Sequence, residues 1–228
     1  MRLPRPPIAV VFDMDGLFDT ERLYEQATLA AAVELGCEMD SAFFRGTIGS
    51  PWVVIHGLLL DRYGPTFAAD ELKSRTGRIF NELVDRHPLL KPGVLELLDL
   101  LDELGLPRAI ATTSSRPTVQ RHLEAHGLID RFHQIVAHGD YARHKPAPDP
   151  FLKAAAQLGV APELCLALED SHNGVRAASA AGMMTIMVPD LLPPTEEIRG
   201  LCTHIVLDLH DVRPLIASLA RPAGSRSG

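Results

Sequence analysis

The chain has 228 residues, 46% of them hydrophobic and only 5% aromatic, enough for one large domain, or a core with a smaller attachment, around an aliphatic interior. A formal net charge of −7 with no basic run argues against a nucleic-acid surface, and no stretch of about 18 apolar residues is present to span a membrane. Three widely spaced cysteines, with no CxxC pair, exclude a disulfide scaffold and fit reduced thiols in a cytoplasmic protein, and Met1 to Pro7 lack the apolar stretch of a signal peptide.

Ile8-Ala9-Val10-Val11 is a short apolar run rich in β-branched residues. It reads as a buried strand of the parallel type. It delivers Asp13 and Asp15, with Gly16 just behind. Two carboxylates this close repel each other unless a cation or a shared proton offsets the charge. An Asx turn would explain Asp15-Gly16 equally well if it stood alone.

After Thr20 the pattern turns helical. Helices are expected over 21–35 with Gly36 as C-cap, over 41–45, from Pro51 to about Tyr63, and from 68 to 86, where Pro88 stops the last. No strand candidate interrupts residues 21–87. From Pro92 strands and helices alternate. Helices are expected at 93–104, 117–126, 149–158, 173–181 and 209–219. Strands are expected at 107–112, 133–137, 164–168 and 184–188. The fold class is therefore α/β. A parallel, Rossmann-like core of residues 1–19 and 88–221 carries an inserted all-helical cap over 20–87, and 222–228 form a disordered tail.

In a parallel sheet the strand ends share one rim. Reading past each strand collects Asp13 and Asp15, Thr113 and Ser114, Lys145, then Glu169 and Asp170. Acids, hydroxyls and one amine are what phosphoryl transfer to a carboxylate needs. A carboxylate cannot approach an anionic phosphoryl group unless Mg2+ neutralises both, and Mg2+ takes hard oxygens such as those of Asp13, Asp15 and Asp170. A hydroxyl and a lysine hold the oxygens where charge spreads. A second acid protonates the leaving alkoxide and then activates water. Taken singly, Thr113 reads as a turn residue, Lys145 as a solvated lysine and Glu169-Asp170-Ser171 as a helix cap.

The chain resembles the haloacid dehalogenase-like hydrolase superfamily, and more narrowly its β-phosphoglucomutase-like phosphatases with a small helical cap. The resemblance runs over residues 8–217. Four motifs carry it in order: Phe12-Asp13-Met14-Asp15-Gly16, then 111–116 around Thr113-Ser114, then Lys145-Pro146-Ala147-Pro148-Asp149, then Leu168-Glu169-Asp170-Ser171-His172-Asn173-Gly174. It implies Asp13 as nucleophile, Asp15 as general acid and base, and phosphate contacts from Thr113, Ser114 and Lys145. It implies Mg2+ held by Asp13, the Asp15 backbone carbonyl and Asp170, with Glu169 in or near that shell. The implied reaction is hydrolysis of a small phosphorylated metabolite, such as a sugar phosphate, through an aspartyl-phosphate. The expected assembly is a monomer or small homo-oligomer.

Two departures stand out. The family pattern places three residues between its glycine and the next aspartate, whereas only Leu17-Phe18 separate Gly16 from Asp19. The mutase branch carries a cap His and a cap Arg near the positions of Tyr24 and Gly49, and this chain has neither. A phosphosugar mutase and a non-catalytic phospho-ligand-binding protein are the alternatives. Arg45, Lys73, Arg75 and Arg78 are candidate cap cations, although each also reads as a solvated helix charge. His122 and His126, four apart on a helix, have the spacing of a zinc pair but no third ligand. His144 and His172 flank expected site residues.

Overall fold

The computed structural model describes residues 2–18, 20–48, 50, 52–84 and 90–220. The expectations for Asp19, Gly49, Pro51, the helix end at Arg86, the Pro88 stop and the tail fall outside these residues. The chain divides into two compact units, Met1–Phe18 with Leu90–Gly228, and Asp19–Leu89.

The first unit is built on six parallel strands: β1 (Ala9–Phe12), β2 (Arg108–Ser115), β3 (Gln134–His138), β4 (Cys165–Glu169), β5 (Met184–Met187) and β6 (His204–Ile205). Their order across the sheet is β3-β2-β1-β4-β5-β6. The chain builds outward from β1 to β3, then crosses back to add β4 on the other side. That reversal opens a crevice at the carboxyl ends of β1 and β4, where open α/β sheets bind ligands.

Alternation along the strands separates two cores. Val10, Phe12, Ile110, Leu166, Leu168 and Ile186 pack with Leu97, Leu98 and Leu101 of α5 (Val94–Glu103), Val119 and Leu123 of α6 (Arg116–Ala125), and Leu215 of α10 (Val212–Ala220). The opposite face is made of small residues: Ala9, Val11, Ala109, Ala111, Cys165 and Ala167. These let α7 (Asp149–Leu158) and α8 (His172–Ala180) approach closely, with Phe151, Ala154, Ala177 and Ala178 as their buried side chains. Side chains on this face recur every second residue, so Asp13 and Glu169 continue the small-residue series.

The regular elements among the described residues of the second unit are helices: α1 (Thr20–Glu34), α2 (Ser41–Thr47), α3 (Trp52–Tyr63) and α4 (Ala69–Val84). Ala31, Ala32, Leu59, Ala69 and Leu72 form its core, ringed by partly buried Phe43, Ile55 and Phe67. Asp40 caps α2 by accepting from the Phe43 amide at 2.7 Å.

The expected parallel sheet is present, with strand ends shifted by one to three residues. β2 runs on to Ser115, so Thr113 and Ser114 lie inside the strand. The last helix starts at Val212 rather than 209. A helix α9 (Glu196–Leu201) and strand β6 were not anticipated. Among the described residues, no helix is long and apolar enough to cross a membrane.

Candidate active site

β1 and β4 pair with Phe12 opposite Leu168, and the Asp13 amide donates to the Leu168 carbonyl at 2.9 Å. Asp13 and Glu169 therefore stand level at adjacent strand ends. The chain then turns tightly, with the Leu17 amide returning to the Met14 carbonyl. Inside this turn the amides of Asp15 and Gly16 donate to Asp13 Oδ2, at 2.8 and 3.4 Å. The Asx turn is thus built on the Asp13 carboxylate rather than on Asp15-Gly16. Asp15 itself is half-buried.

Lys145 lies in the loop between β3 and α7. The Tyr141 hydroxyl ties this loop to the sheet by donating to the Thr112 carbonyl at 2.9 Å. Far from being solvated, the Lys145 side chain is 6% exposed. Its Nζ lies 2.5 Å from both Asp13 Oδ1 and Glu169 Oε1, and 4.9 Å from the Phe151 ring centroid.

Glu169 has no idle oxygen. Oε1 meets Lys145, and Oε2 accepts from the Asp170 amide, the Ser171 amide and the Ser171 hydroxyl at 3.2, 3.3 and 3.1 Å. Ser171 is also the N-cap of α8, accepting from the Gly174 amide at 3.0 Å. Cap and site are the same residues. A side chain on Gly174 would meet the Glu169 carboxylate, since a Cβ there would fall 1.9 Å from its Cδ.

Asp170 follows β4. One carboxylate oxygen from each of Asp13, Glu169 and Asp170 lies within 4.8 Å of the others, and all three residues are buried. Lys91 Nζ bridges Asp170 Oδ2 at 2.9 Å and Asp190 Oδ2 at 3.1 Å.

Four buried carboxylates thus face two buried ammonium groups. The carboxylates outnumber the ammonium groups, and their hard oxygen donor set suits a divalent cation. Burial pushes the Glu169 carboxyl up to about 8 against the pull of the Lys145 ammonium, and the Asp13 and Asp170 charges add to the rise. Burial likewise raises Asp170 against Lys91. Burial works to lower Lys145, but Asp13 and Glu169 outweigh it and hold the ammonium well above the usual lysine range.

Thr113 is exposed and Ser114 half-buried at the carboxyl end of β2, beside β1 on the same rim. The Ser114 amide donates to Thr112 Oγ1 at 3.1 Å. The rings of His122 and His126 both pack against Phe18, and His126 Nδ1 lies 2.8 Å from the His122 carbonyl. His144 stacks on His138, and His172 Nε2 contacts the Pro193 carbonyl. The four candidate cap cations named from the sequence are engaged inside the helical unit. Arg45 pairs with Glu25, Arg75 with Glu34 and Glu71, and Arg78 with Glu34 and Glu82, while Lys73 lies over the Trp52 ring.

Sequence reasoning missed Lys91 and Asp190. Asp190 lies three residues past the end of β5, so reading further past that strand would have reached it. Lys91 carried no such signal, because it lies ahead of a helix rather than after a strand.

The family model described as haloacid dehalogenase-like hydrolase matches residues 10–188. The probable pseudouridine-5'-phosphatase of Drosophila melanogaster is 34% identical, covering 90% of each chain. Hexitol phosphatase B of Escherichia coli is 35% identical over 83% of this chain and 86% of its own. The crystal structure of CbbY from Rhodobacter sphaeroides in complex with phosphate has a TM-score of 0.75 at 29% identity, covering 90% of this chain and 96% of that one. With the family model spanning most of the sheet and the relatives matching nearly end to end, the chain belongs to the haloacid dehalogenase-like hydrolase family.

Proposed function

We propose that the protein is a Mg2+-dependent phosphatase that hydrolyses a small phosphorylated metabolite, such as a sugar phosphate, through an aspartyl-phosphate on Asp13. The observation that carries this reading is the buried Asp13–Lys145–Glu169 contact at the crevice, with Asp170 within reach of both acids. The names of the relatives, a pseudouridine-5'-phosphatase and a hexitol phosphatase, support phosphate esters of small polyhydroxyl compounds as the substrate class.

In this reading Asp13 is the nucleophile, aimed by Lys145 on one oxygen and by two turn amides on the other. As its oxygen bonds to phosphorus, the ester oxygen departs and takes a proton from Asp15. Asp15 then accepts a proton from a water that attacks phosphorus, and the bond to Asp13 breaks. Lys145, Thr113 and Ser114 hold the non-bridging oxygens. Asp13, the Asp15 carbonyl and Asp170 would hold Mg2+, whose charge offsets the repulsion between carboxylate and phosphoryl group. Glu169, with both oxygens already engaged, lies behind the ligands and fixes Lys145.

The test is phosphate release across a phosphomonoester panel, with Mg2+ and with EDTA, for wild type and Asp13→Asn. Turnover should need both Mg2+ and Asp13, and the variant should lose more than about 10^3-fold in rate. Folded protein with Mg2+ that releases phosphate from no ester would overturn the proposal. So would turnover that survives Asp13→Asn.

A further inference from the structure

Lys91 lies outside the motifs of the family resemblance, yet it is one of the two buried ammonium groups of the crevice. Its side chain is 11% exposed, and those of its partners Asp170 and Asp190 are 1% and 4% exposed. Three segments converge on it. The Lys91 amide donates to the Leu17 carbonyl at 2.9 Å, tying it to the turn that carries Asp15. Asp170 comes from the end of β4. Asp190 comes from the end of β5, which the Val188 amide fastens to the Glu169 carbonyl at 2.7 Å.

We propose that Lys91 is a positioning residue for Mg2+ binding: it pins one oxygen of Asp170 between itself and Asp190 and so presents the other oxygen to the cation. The proposal rests on Asp170 being a metal ligand, as in the reading above. A carboxylate can turn about its bond to the chain. With Oδ2 held by Lys91, the direction of Oδ1 is set before the cation arrives. The cation then does not have to order its own ligand, which is how outer-shell partners commonly raise metal affinity by about 10–100-fold. Asp190 completes the clamp. It gives Lys91 a second anchor, so the ammonium cannot follow Asp170 if that side chain moves.

Lys91 also adds a positive charge near the cation, and that effect must be separated from positioning. The double substitution Lys91→Met with Asp190→Asn does so. It removes one cation and one anion, so the net charge of the crevice is unchanged, while buried Asp170 loses both the pin and its ammonium partner.

The experiment is calorimetric titration of Mg2+ into substrate-free protein, with thermal melts of each variant with and without Mg2+. The double variant should bind Mg2+ about 10–100-fold more weakly than wild type, and Mg2+ should raise its melting temperature less. The pair Lys91→Leu with Asp190→Asn, which likewise places no donor against Asp170, carries the same expectation if the Met pair does not fold. A folded double variant that binds Mg2+ within about twofold of wild type would overturn the inference. So would tighter binding by Lys91→Met alone alongside unchanged binding by the double variant, because Lys91 would then act through charge only. A brace without a metal role would lower the melting temperature equally with and without Mg2+, which also overturns it. If wild type binds no Mg2+, or Asp170→Asn binds as wild type does, the metal reading fails first. If those controls behave and the double variant matches wild type, only the role of Lys91 fails.

Discussion

Gly174→Ala is the sharpest probe of how the crevice is built. The added Cβ would fall 1.9 Å from Glu169 Cδ and 2.0 Å from each carboxylate oxygen. Gly174 is not among the glycines with positive φ, so space alone is tested. Glu169 cannot simply swing aside, because it is 1% exposed and both its oxygens are bonded. An ordinary contact of 3.4 Å requires a displacement of about 1.4 Å, which takes the Oε2 hydrogen bonds beyond normal length. Overpacking of this kind costs about 1–3 kcal/mol. Losing one hydrogen bond to a charged group costs about 1.5–3 kcal/mol. The helical preference of Ala over Gly returns at most about 1 kcal/mol. The net destabilisation is roughly 2–5 kcal/mol, read as a fall of about 2–4 °C in melting temperature per kcal/mol. Gly77→Ala, in α4, is the matched control: a Cβ there would meet nothing within 4 Å, and the substitution should stabilise by about 0.5–1 kcal/mol. If Gly174→Ala melts with the wild type, the carboxylate does not sit against the first turn of α8 and the description of Glu169 is wrong.

Two further outcomes follow from the charges. Without metal, Glu169 holds its proton up to about 8, whereas an ordinary Glu loses it near 4.5. Between those values the native state binds a proton that the unfolded state has released. Stability in EDTA should therefore fall as pH rises from about 4.5 to about 8, by up to about 1.4 kcal/mol per pH unit, and level off above. Mg2+ should flatten this fall, since binding needs the ionised acids. Urea melts at pH 5 to 8.5 check both, and stability rising through this window would contradict the sign. Lys145→Met removes the cation shared by Asp13 and Glu169. Metal-free protein should lose about 3–5 kcal/mol, and phosphate release should drop below detection. A Lys145→Met variant as stable as wild type in EDTA would mean that the two carboxylates are not pressed together as described.

The motifs at strand ends were legible because the sequence states their two ingredients directly: an apolar run, then a polar residue. Val10-Val11 before Asp13 and Leu166-Ala167-Leu168 before Glu169 are of this kind. What was not legible depends on pairing or packing. β6 is two residues long and is a strand only because Ile186 and Met187 pair with His204 and Ile205. α9 is too short for periodicity and is marked only by its Thr195 cap, which accepts from the Ile198 amide. Gly174 reads as an unremarkable helix residue until Glu169 is found against it. Lys91 reads as a solvated charge before Pro92-Gly93, and only the fold brings it to Asp170, 79 residues away in sequence.

The two lysines of the crevice follow one pattern. Each is shared between two carboxylates, Lys145 between Asp13 and Glu169, and Lys91 between Asp170 and Asp190. In each pair one acid is a proposed metal ligand and the other lies behind it. With every acid ionised, as cation binding needs, sharing leaves each carboxylate only half neutralised. Full neutralisation would remove the charge that draws a divalent cation into the crevice. No neutralisation would press four acids together unpaired, which a metal-free chain could hold only by protonating them. The two-to-one ratio satisfies both demands. Glu169 and Asp190 keep each lysine from neutralising Asp13 and Asp170 completely, and they fix where that lysine stands.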